Sequence, residues 1–327
     1  MGLIKYTCFL TIVIILLLEF AYRMQVIEFY QNAFSALNPA FHSPSKQNSD
    51  TTVLVIGDSF TAQKENYVGF LRSEYPQWQF INASVPGTGI RQHELYFNKR
   101  IKQHPPDVLI YQFYVGNDLT DVIHPYHYDS LSLIRNAYWW LSDRLLVVPY
   151  LNSVLSSLSV RMGTKQEVSD SPFKKECYNA RTKLYIKANS KALQQTILLD
   201  ESMEMRYQIW QNKFHHMLSQ LPSATKVYLL VIPHYIQSST KHLNNYRLLG
   251  ATVDERLLAS NYPLINRMKQ DFADVTMINP LPDFQKAEHP SEIYLQNDPH
   301  LTVTGQKKLT ATILQVLNEG DNHSSIK

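Results

Sequence analysis

A serine, an aspartate and a histidine in this sequence have the local context of a hydrolytic triad. Ser59 follows Gly57-Asp58 directly after a short β-branched run, and His300 lies two residues after Asp298 in a late loop. A serine hydroxyl is a poor nucleophile until a base accepts its proton. A carboxylate beside an imidazole can hold the tautomer that accepts it. These residues predict nucleophilic acyl transfer if the fold brings the serine and the histidine together.

This chemistry also needs fixed hydrogen-bond donors for the oxyanion that develops on the substrate. The candidates are the backbone amides of Ser59 and Gly87 and the side-chain amide of Asn117. Gly87 suits a loop whose backbone must approach the substrate closely, and Asn117 is a neutral donor that titration cannot remove. Loss of one such donor costs roughly 3 kcal/mol. Asp58 and Asp118 are interpreted as structural carboxylates that bond loop amides.

Each candidate also has a plainer explanation. Ser59 could only cap a helix, and Asn117 is of a type common in turns. His300 could be a capping residue beside Pro299, and Gly87 could serve only its turn. The catalytic interpretation is favoured because the candidates occur together, each at the end of a predicted strand or in the last loop.

The elements that must position these residues alternate between strand and helix, with a tight turn at Gly57. The predicted fold is an α/β three-layer sandwich with a five-stranded parallel sheet in flavodoxin-like order. Such a sheet delivers its loops to one edge, where ligands bind. Strands are predicted at residues 52–56, 78–82, 107–114, 226–232 and 275–279. Helices are predicted at residues 62–75, 90–104, 200–219, 253–271 and 303–317.

Residues 119–205 interrupt this alternation and are predicted to be a partly helical insertion after the third strand. The segment is rich in aromatic residues and leucine, with amphipathic pieces around 131–145 and 150–162. Such stripes are most often the core of a helical cap. The insertion could instead shape an acyl pocket, touch a membrane surface or contact a protein partner. The domain predicted around it spans residues 51–320.

The N-terminus is predicted to be a membrane anchor at residues 1–23, followed by a linker at 24–50. An apolar run lies between Lys5 and Arg23, with Glu19 near its far end. No small-residue cleavage site follows closely, which favours an uncleaved signal-anchor over a cleaved signal. Lys5 favours a cytoplasmic N-terminus, which puts the domain outside the cytoplasm. Residues 321–327 are predicted to be a loose tail.

Composition limits the other functions. The 327 residues carry a formal net charge of only +3, which gives no argument for a nucleic-acid partner. Cys8 and Cys177 are the only cysteines, and the position of Cys8 in the apolar run argues against a disulfide. The pairs His124-x-x-His127 and His215-His216 lack the further ligands of a metal site and are interpreted as surface or loop residues. No cofactor or metal is assigned.

Four short blocks resemble those of the SGNH (GDSL-type) hydrolases, in the same order. The blocks are Gly57-Asp58-Ser59-Phe60, the loop from Asn82 to Gly87, Val115-Gly116-Asn117-Asp118, and Asp298-Pro299-His300 with Leu301-Thr302 and Gly305. The resemblance covers about residues 52–318, apart from the insertion. It implies an ester hydrolase with the roles given above. The third block reads Val-Gly-Asn-Asp where the family has Gly-x-Asn-Asp, and Phe60 replaces the usual leucine.

The spacing Asp298-x-His300 also bears on the substrate. Many lipase-like members have Asp-x-x-His, whereas Asp-x-His resembles the branch of alginate and cell-wall O-acetyltransferase-like proteins. The resemblance therefore implies an anchored serine esterase that acts on O-acyl, chiefly acetyl, esters of small molecules or glycans. Two other hypotheses remain open at this point. The chain could transfer the acyl group to a glycan hydroxyl, or it could be a non-catalytic binding component that keeps the fold.

Overall fold

The computed structural model describes residues 2–24, 26, 51–63, 65–125, 130–152 and 172–324. Most of the predicted linker, the piece at 153–162 and the end of the predicted tail lie outside the described residues. The strands are β1 Thr51–Ile56, β2 Trp78–Asn82, β3 Val108–Tyr114, β4 Lys226–Ile232 and β5 Thr276–Ile278. The helices are α1 Gly2–Arg23, α2 Tyr67–Glu74, α3 Ile90–Gln103, α4 Leu133–Ser142, α5 Ala180–Ala188, α6 Ala192–Leu198, α7 Glu201–Leu218, α8 Thr240–Leu248, α9 Pro263–Asp271, α10 Leu281–Gln285 and α11 Val303–Ser324.

The strands form one parallel sheet in the order β2-β1-β3-β4-β5. This confirms the predicted α/β fold and its flavodoxin-like strand order. Every residue of β3, the central strand, is buried, as expected for a parallel strand covered on both faces. The strand order reverses between β1 and β3, and ligands bind outside the carboxyl ends of strands at such a switch point.

The chain segment after β1 differs from the prediction. The helix expected from residue 62 begins only at Tyr67, after a series of turns. The hydroxyl of Thr61 lies 2.8 Å from that of Tyr67 and donates to Gln112 Oε1 at 3.2 Å. Asn66 then caps α2 by accepting a hydrogen bond from the Gly69 amide. Side-chain hydrogen bonds of this kind compete with helix formation, and they delay the helix by about a turn.

Two predictions in the second half of the chain need correction. The helix expected over 253–271 is divided into a 3₁₀ helix at Glu255–Leu258 and α9 at Pro263–Asp271. A proline lacks the amide of a helix interior but suits the first position, so a new helix begins at Pro263. Helix α8 was not predicted. Helix α11 continues to Ser324, into the segment predicted to be a tail.

The described part of the insertion does not form a separate cap with its own core. Leu193 and Ile197 of α6 belong to the same buried cluster as the sheet residues. The ring of Trp210 in α7 packs edge-on against Phe113 of β3, with centroids 5.0 Å apart. Helix α7 is therefore the crossover helix that leads into β4.

Helix α1 is long and apolar enough to cross a membrane by length and composition. The segment Ile4–Arg23 has 20 residues and a mean hydropathy of 2.1, and 6% of it is buried. A signal sequence meets the same criteria. Cys8 and Cys177 are free, exposed cysteines.

Candidate active site

Ser59 lies just beyond the carboxyl end of β1, in a turn that leaves no space for a side chain at the preceding glycine. A Cβ atom at Gly57 would overlap the side chains of Gln112 and Thr61. Gln112, on the neighbouring strand β3, accepts a hydrogen bond from the Asp58 amide at 2.9 Å. The backbone of Gly57 is not in the left-handed region. The turn therefore needs glycine for the close approach of Gln112 and Thr61 and not for its backbone conformation.

The structure brings the three predicted triad residues into contact. His300 Nε2 lies 2.7 Å from Ser59 Oγ, although the two residues are 241 positions apart in sequence. The other ring nitrogen, Nδ1, is hydrogen-bonded to Asp298 Oδ1. The same carboxylate oxygen accepts the His300 backbone N–H at 3.0 Å, which closes the short Asp-x-His loop.

The electrostatics favour an imidazole that accepts the serine proton. Burial would raise the pKa of Asp298, but hydrogen bonds from His300 and Asn179 outweigh burial and hold this pKa below its usual value. Asp298 is therefore ionised, and it accepts the proton on Nδ1, which leaves Nε2 free to accept from Ser59. Burial alone would lower the pKa of His300, but the hydrogen bond and the charge of Asp298 raise this pKa by a larger amount. The pKa of His300 therefore lies above its ordinary value.

Phe60 contacts the His300 ring, which the sequence analysis did not predict. Its ring packs against the His300 imidazole, with centroids 4.8 Å apart, and against the Tyr114 ring at 4.1 Å. The aromatic ring in place of the usual leucine therefore forms one wall of the space that holds His300.

Asp58 and Asp118 have the predicted structural contacts. Asp58 Oδ1 accepts the Phe60 amide at 3.0 Å, and Asp118 Oδ2 accepts the Tyr114 amide at 2.9 Å. Burial raises the pKa of Asp58 to about 6. Burial also raises the pKa of Asp118 well above its ordinary value, and repulsion from Asp58 adds to this. The two carboxyls thus hold the loops after β1 and β3.

Of the predicted oxyanion donors, Asn117 lines the same cavity as Ser59 and His300. Its Nδ2 atom donates to Asp121 Oδ2 at 2.6 Å. An amide nitrogen has two protons, so the second remains available for a substrate oxygen. Asp121 thereby fixes the orientation of the predicted donor.

Gly87 lies beside this site rather than in the cavity wall. It adopts a left-handed φ of 74°, which suits glycine. A Cβ atom here would lie 3.5 Å from Arg181 Nη1. The structure therefore brings Gly87 to the guanidinium at the cavity edge, and its role as an oxyanion donor stays a prediction.

The start of α5, within the predicted insertion, supplies residues that the sequence analysis missed. Asn179 caps α5 through its Oδ1 atom and donates from Nδ2 to Asp298 Oδ2 at 2.7 Å. Arg181 donates to Asp121 Oδ2 at 3.0 Å, and the Tyr185 hydroxyl donates to Asp121 Oδ1. No motif marks these positions, although an Asn before a helix-forming run is an ordinary capping signal.

Two further histidines are at least partly buried. His234, just after β4, lines the cavity together with His300. Burial lowers the pKa of His234 to about 3, so this ring stays neutral. His124, interpreted as a surface or loop residue, lies outside the helices and strands, but it is not on the open surface: its Nδ1 atom lies 2.5 Å from Asp143 Oδ1 and its side chain is only 12% exposed.

The cavity at the triad has a volume of about 90 Å³. Its wall contains Ser59, Asn117, Arg181, His234 and His300, together with the rings of Tyr114, Tyr185 and Tyr246. Pockets for drug-sized ligands measure roughly 300–1,000 Å³. The space beside Ser59 is therefore small compared with such pockets, and it opens to solvent.

No protein-family model and no curated protein matches this sequence. Among solved structures, it is similar to an alpha/beta hydrolase enzyme from the metagenome of Lake Arreo, Spain, with 11% identity over 82% of this chain and 94% of that one, at a TM-score of 0.40. A lipase/acylhydrolase from Enterococcus faecalis has 12% identity, coverage of 82% and 95%, and a TM-score of 0.42. A catalytic mutant of an acetylxylan esterase from Geobacillus stearothermophilus has 13% identity, coverage of 83% and 95%, and a TM-score of 0.40. At these scores the similarities assign no role to any residue of this chain.

Proposed function

We propose that this chain is a serine esterase that cleaves small O-acyl esters, chiefly acetyl esters, through an acyl-serine intermediate. The observation that carries the proposal is the hydrogen-bonded series from Ser59 Oγ to His300 Nε2 and from His300 Nδ1 to Asp298. Nucleophile, base and orienting carboxylate in this order form the arrangement that activates a serine. A non-catalytic role would leave this arrangement unexplained.

Acylation begins when Ser59 Oγ attacks the ester carbonyl carbon and its proton moves to His300 Nε2. Asp298 stabilises the imidazolium that forms, without itself taking the proton. The tetrahedral intermediate then expels the alcohol, which receives the proton from Nε2, and the acyl group remains on Ser59. A water molecule next gives its proton to His300 and attacks the acyl-serine. The second tetrahedral intermediate releases the carboxylic acid, and His300 Nε2 returns the proton to Ser59 Oγ, which restores the serine hydroxyl.

The oxyanion of both tetrahedral intermediates needs donors that are in place before the reaction. The Ser59 amide and the second Nδ2 proton of Asn117 are the proposed donors, and Gly87 is a third candidate beside them. Arg181 at the edge of the cavity adds a positive charge near Gly87. The hydrogen bond from Asn117 to Asp121 supports this assignment, because it fixes the rotamer of the amide.

The size of the cavity supports an acetyl or similarly small acyl group. The alcohol part of the ester would then lie outside, where the cavity opens to solvent. We expect the purified chain to release p-nitrophenol from p-nitrophenyl acetate much faster than from the octanoate ester. Ser59→Ala should abolish this turnover and leave the circular dichroism spectrum unchanged. Unchanged turnover in the folded variant would refute the proposal.

Transfer of the acyl group to a glycan hydroxyl is a second candidate function. The observation that favours it is the Asp298-x-His300 spacing, which resembles that of O-acetyltransferase-like proteins. The same residues would act, and a sugar hydroxyl would replace water in the second step. An oligosaccharide acceptor that becomes acetylated, while the yield of free acetate falls, would distinguish transfer from hydrolysis.

The proposed location is the outer face of the cytoplasmic membrane, with α1 as an uncleaved anchor. The length and hydropathy of Ile4–Arg23 support the anchor, and Lys5 before the apolar run supports a cytoplasmic N-terminus. We expect a protease added to intact cells, after permeabilisation of any outer membrane, to digest the domain. A domain that is cut only after cell lysis would contradict this orientation.

A further inference from the structure

Helix α4 carries apolar side chains on the face that it turns to solvent. These residues are spaced so that they lie on one side of the helix. Ile134 alone exposes 84% of its surface. The exposed set is Leu133, Ile134, Ala137, Trp140 and Leu141, defined here as the α4 face. A contiguous apolar stripe of this kind marks an interaction surface rather than ordinary scattered exposure.

The chain just after α4 contacts the C-terminal end of α1. Glu19 of α1 accepts a hydrogen bond from the Val147 amide at 2.8 Å, and Arg23 donates to the Arg144 carbonyl at 3.3 Å. Tyr22 is buried in a small cluster with Val85 and Leu146. The last turn of α1 is therefore part of the folded domain, which is unexpected for a signal that is removed.

This contact also explains an acidic residue in an otherwise apolar segment. Glu19 is almost fully buried, and it pairs with Arg23 Nε at 2.6 Å in addition to accepting the Val147 amide. A carboxylate with these two partners is satisfied inside the protein and does not face lipid. Glu19 therefore connects α1 to the domain.

The position of α1 in a membrane determines the depth of α4 relative to the lipid. The 20 residues of Ile4–Arg23 measure about 30 Å as a helix, close to the thickness of the hydrocarbon core. In a membrane-spanning α1, the last turn from Glu19 to Arg23, which packs against the domain, lies at the boundary between hydrocarbon and headgroups. Arg144 and Val147 contact α1 at this end, so the C-terminal end of α4 lies at the same boundary.

The side chains at this end of α4 suit that environment. Trp140 is exposed, and tryptophan is enriched at the headgroup level of membranes. The Arg144 guanidinium lies over the Trp140 ring, 4.0 Å from its centroid, and nearer the start of α4 the Arg135 guanidinium lies 5.2 Å from the centroid of the Tyr138 ring. A helix with an apolar stripe bordered by arginines is typical of segments that lie in the plane of the interface and contact lipid phosphates.

We infer that the α4 face rests in the headgroup region of the bilayer that α1 spans. This inference rests on the proposed anchoring. Two attachment points, α1 and the α4 face, then hold the domain in one orientation relative to the membrane. The loop from Val85 to Gly87 contacts α1 through Val85, so the orientation also fixes the height of the candidate active site above the lipid.

An environment-sensitive fluorophore on the α4 face tests this inference in the full-length chain. Ile134→Cys is labelled with NBD in a Cys8→Ser, Cys177→Ser background and reconstituted in vesicles of phosphatidylcholine and phosphatidylglycerol. Leu248→Cys is the matched control, since Leu248 is an exposed leucine on α8. We expect the label at 134 to be blue-shifted and quenched several-fold more strongly by nitroxide lipids than the label at 248.

Equal quenching at both positions in vesicle-bound protein would overturn the inference. A chain that leaves the vesicles on flotation at alkaline pH would overturn it as well, and would contradict the anchor itself. If the label at 134 becomes protected from aqueous iodide in detergent as protein concentration rises, the α4 face is an interface between two copies instead. Esterase activity is measured in parallel, so failure of the proposed function is recognised separately.

Discussion

Asn179 Nδ2 lies 2.7 Å from Asp298 Oδ2, which joins the predicted insertion to the carboxylate of the triad. Asp298 Oδ1 is occupied by the His300 ring and backbone. The Asn179 bond therefore gives the second oxygen of this buried carboxylate a hydrogen-bond partner as well. The segment before α5 is thus part of the active-site structure and not a covering added to it.

Replacement of Asn179 should weaken catalysis through Asp298. A hydrogen bond to a charged group contributes about 1.5–3 kcal/mol, so we expect Asn179→Ala to lower kcat about tenfold or more. Asn179→Ser is the matched variant, because serine also caps a helix but is too short to make the same bond. Both variants should lose activity, and alanine should lower the melting temperature more than serine because it also removes the helix cap. Full activity in Asn179→Ser would contradict a role for the bond to Asp298.

The pH dependence of kcat/KM should report the raised pKa of His300. The base must be neutral to accept the serine proton, so activity should rise with pH and the acid limb should lie above 6.5. Asp298→Asn removes the principal cause that raises this pKa. We expect the limb to move to lower pH in this variant, while kcat falls by roughly 10³–10⁴. A limb that moves upward, or does not move, would show that another group controls the profile.

The predicted oxyanion donor Asn117 should affect kcat far more than KM. Loss of one such donor costs roughly 10²–10³ in kcat, and we expect Asn117→Ala to show this loss with KM nearly unchanged. Asn117→Asp keeps the shape of the side chain but replaces the donor by a carboxylate, and it should be at least as impaired. Steady-state kinetics with p-nitrophenyl acetate measure both constants. Wild-type kcat in either variant would remove Asn117 from the mechanism.

Asp121 should act as a positioning residue for Asn117. It also accepts hydrogen bonds from Arg181 and Tyr185, and we expect Asp121→Asn to lower kcat about tenfold. Asp271 offers a matched control remote from the cavity, since it too accepts from a tyrosine and an arginine. Asp271→Asn should lower stability without a specific loss of kcat. Equal kinetic effects in the two variants would indicate a general effect on folding.

The buried Asp58 should make stability depend on pH. Its pKa of about 6 in the folded protein lies above the ordinary value of 3.8. The contribution of Asp58 to the free energy of unfolding is therefore present below pH 4 and is lost as the pH rises through 6. Asp58→Asn keeps an acceptor for the Phe60 amide but cannot ionise. We expect the variant to unfold with wild-type stability at pH 4 and to be about 2–3 kcal/mol more stable at pH 8. A pH-independent difference between the two would contradict the raised pKa.

The parallel sheet and the contact between Ser59 and His300 could be anticipated from sequence because both depend on local signals. Buried β-branched runs identify the strands, and parallel connections bring their loops to one edge. The late start of α2 depends on the distant side chain of Gln112, which no local pattern shows. Asn179 and Arg181 lie in a segment with no motif, so only the folded chain reveals that they reach the cavity.

The central claim is that His300 activates Ser59, and the rate of Ser59 labelling by a fluorophosphonate tests it most directly. His300→Gln is compared with His234→Gln, which alters another cavity histidine that stays neutral at working pH. We expect modification at Ser59 in the wild-type chain, a rate within about tenfold of this in His234→Gln, and a rate at least 10² lower in His300→Gln. The claim would be contradicted if folded wild-type protein were not labelled, or if His300→Gln were labelled as fast as the wild type.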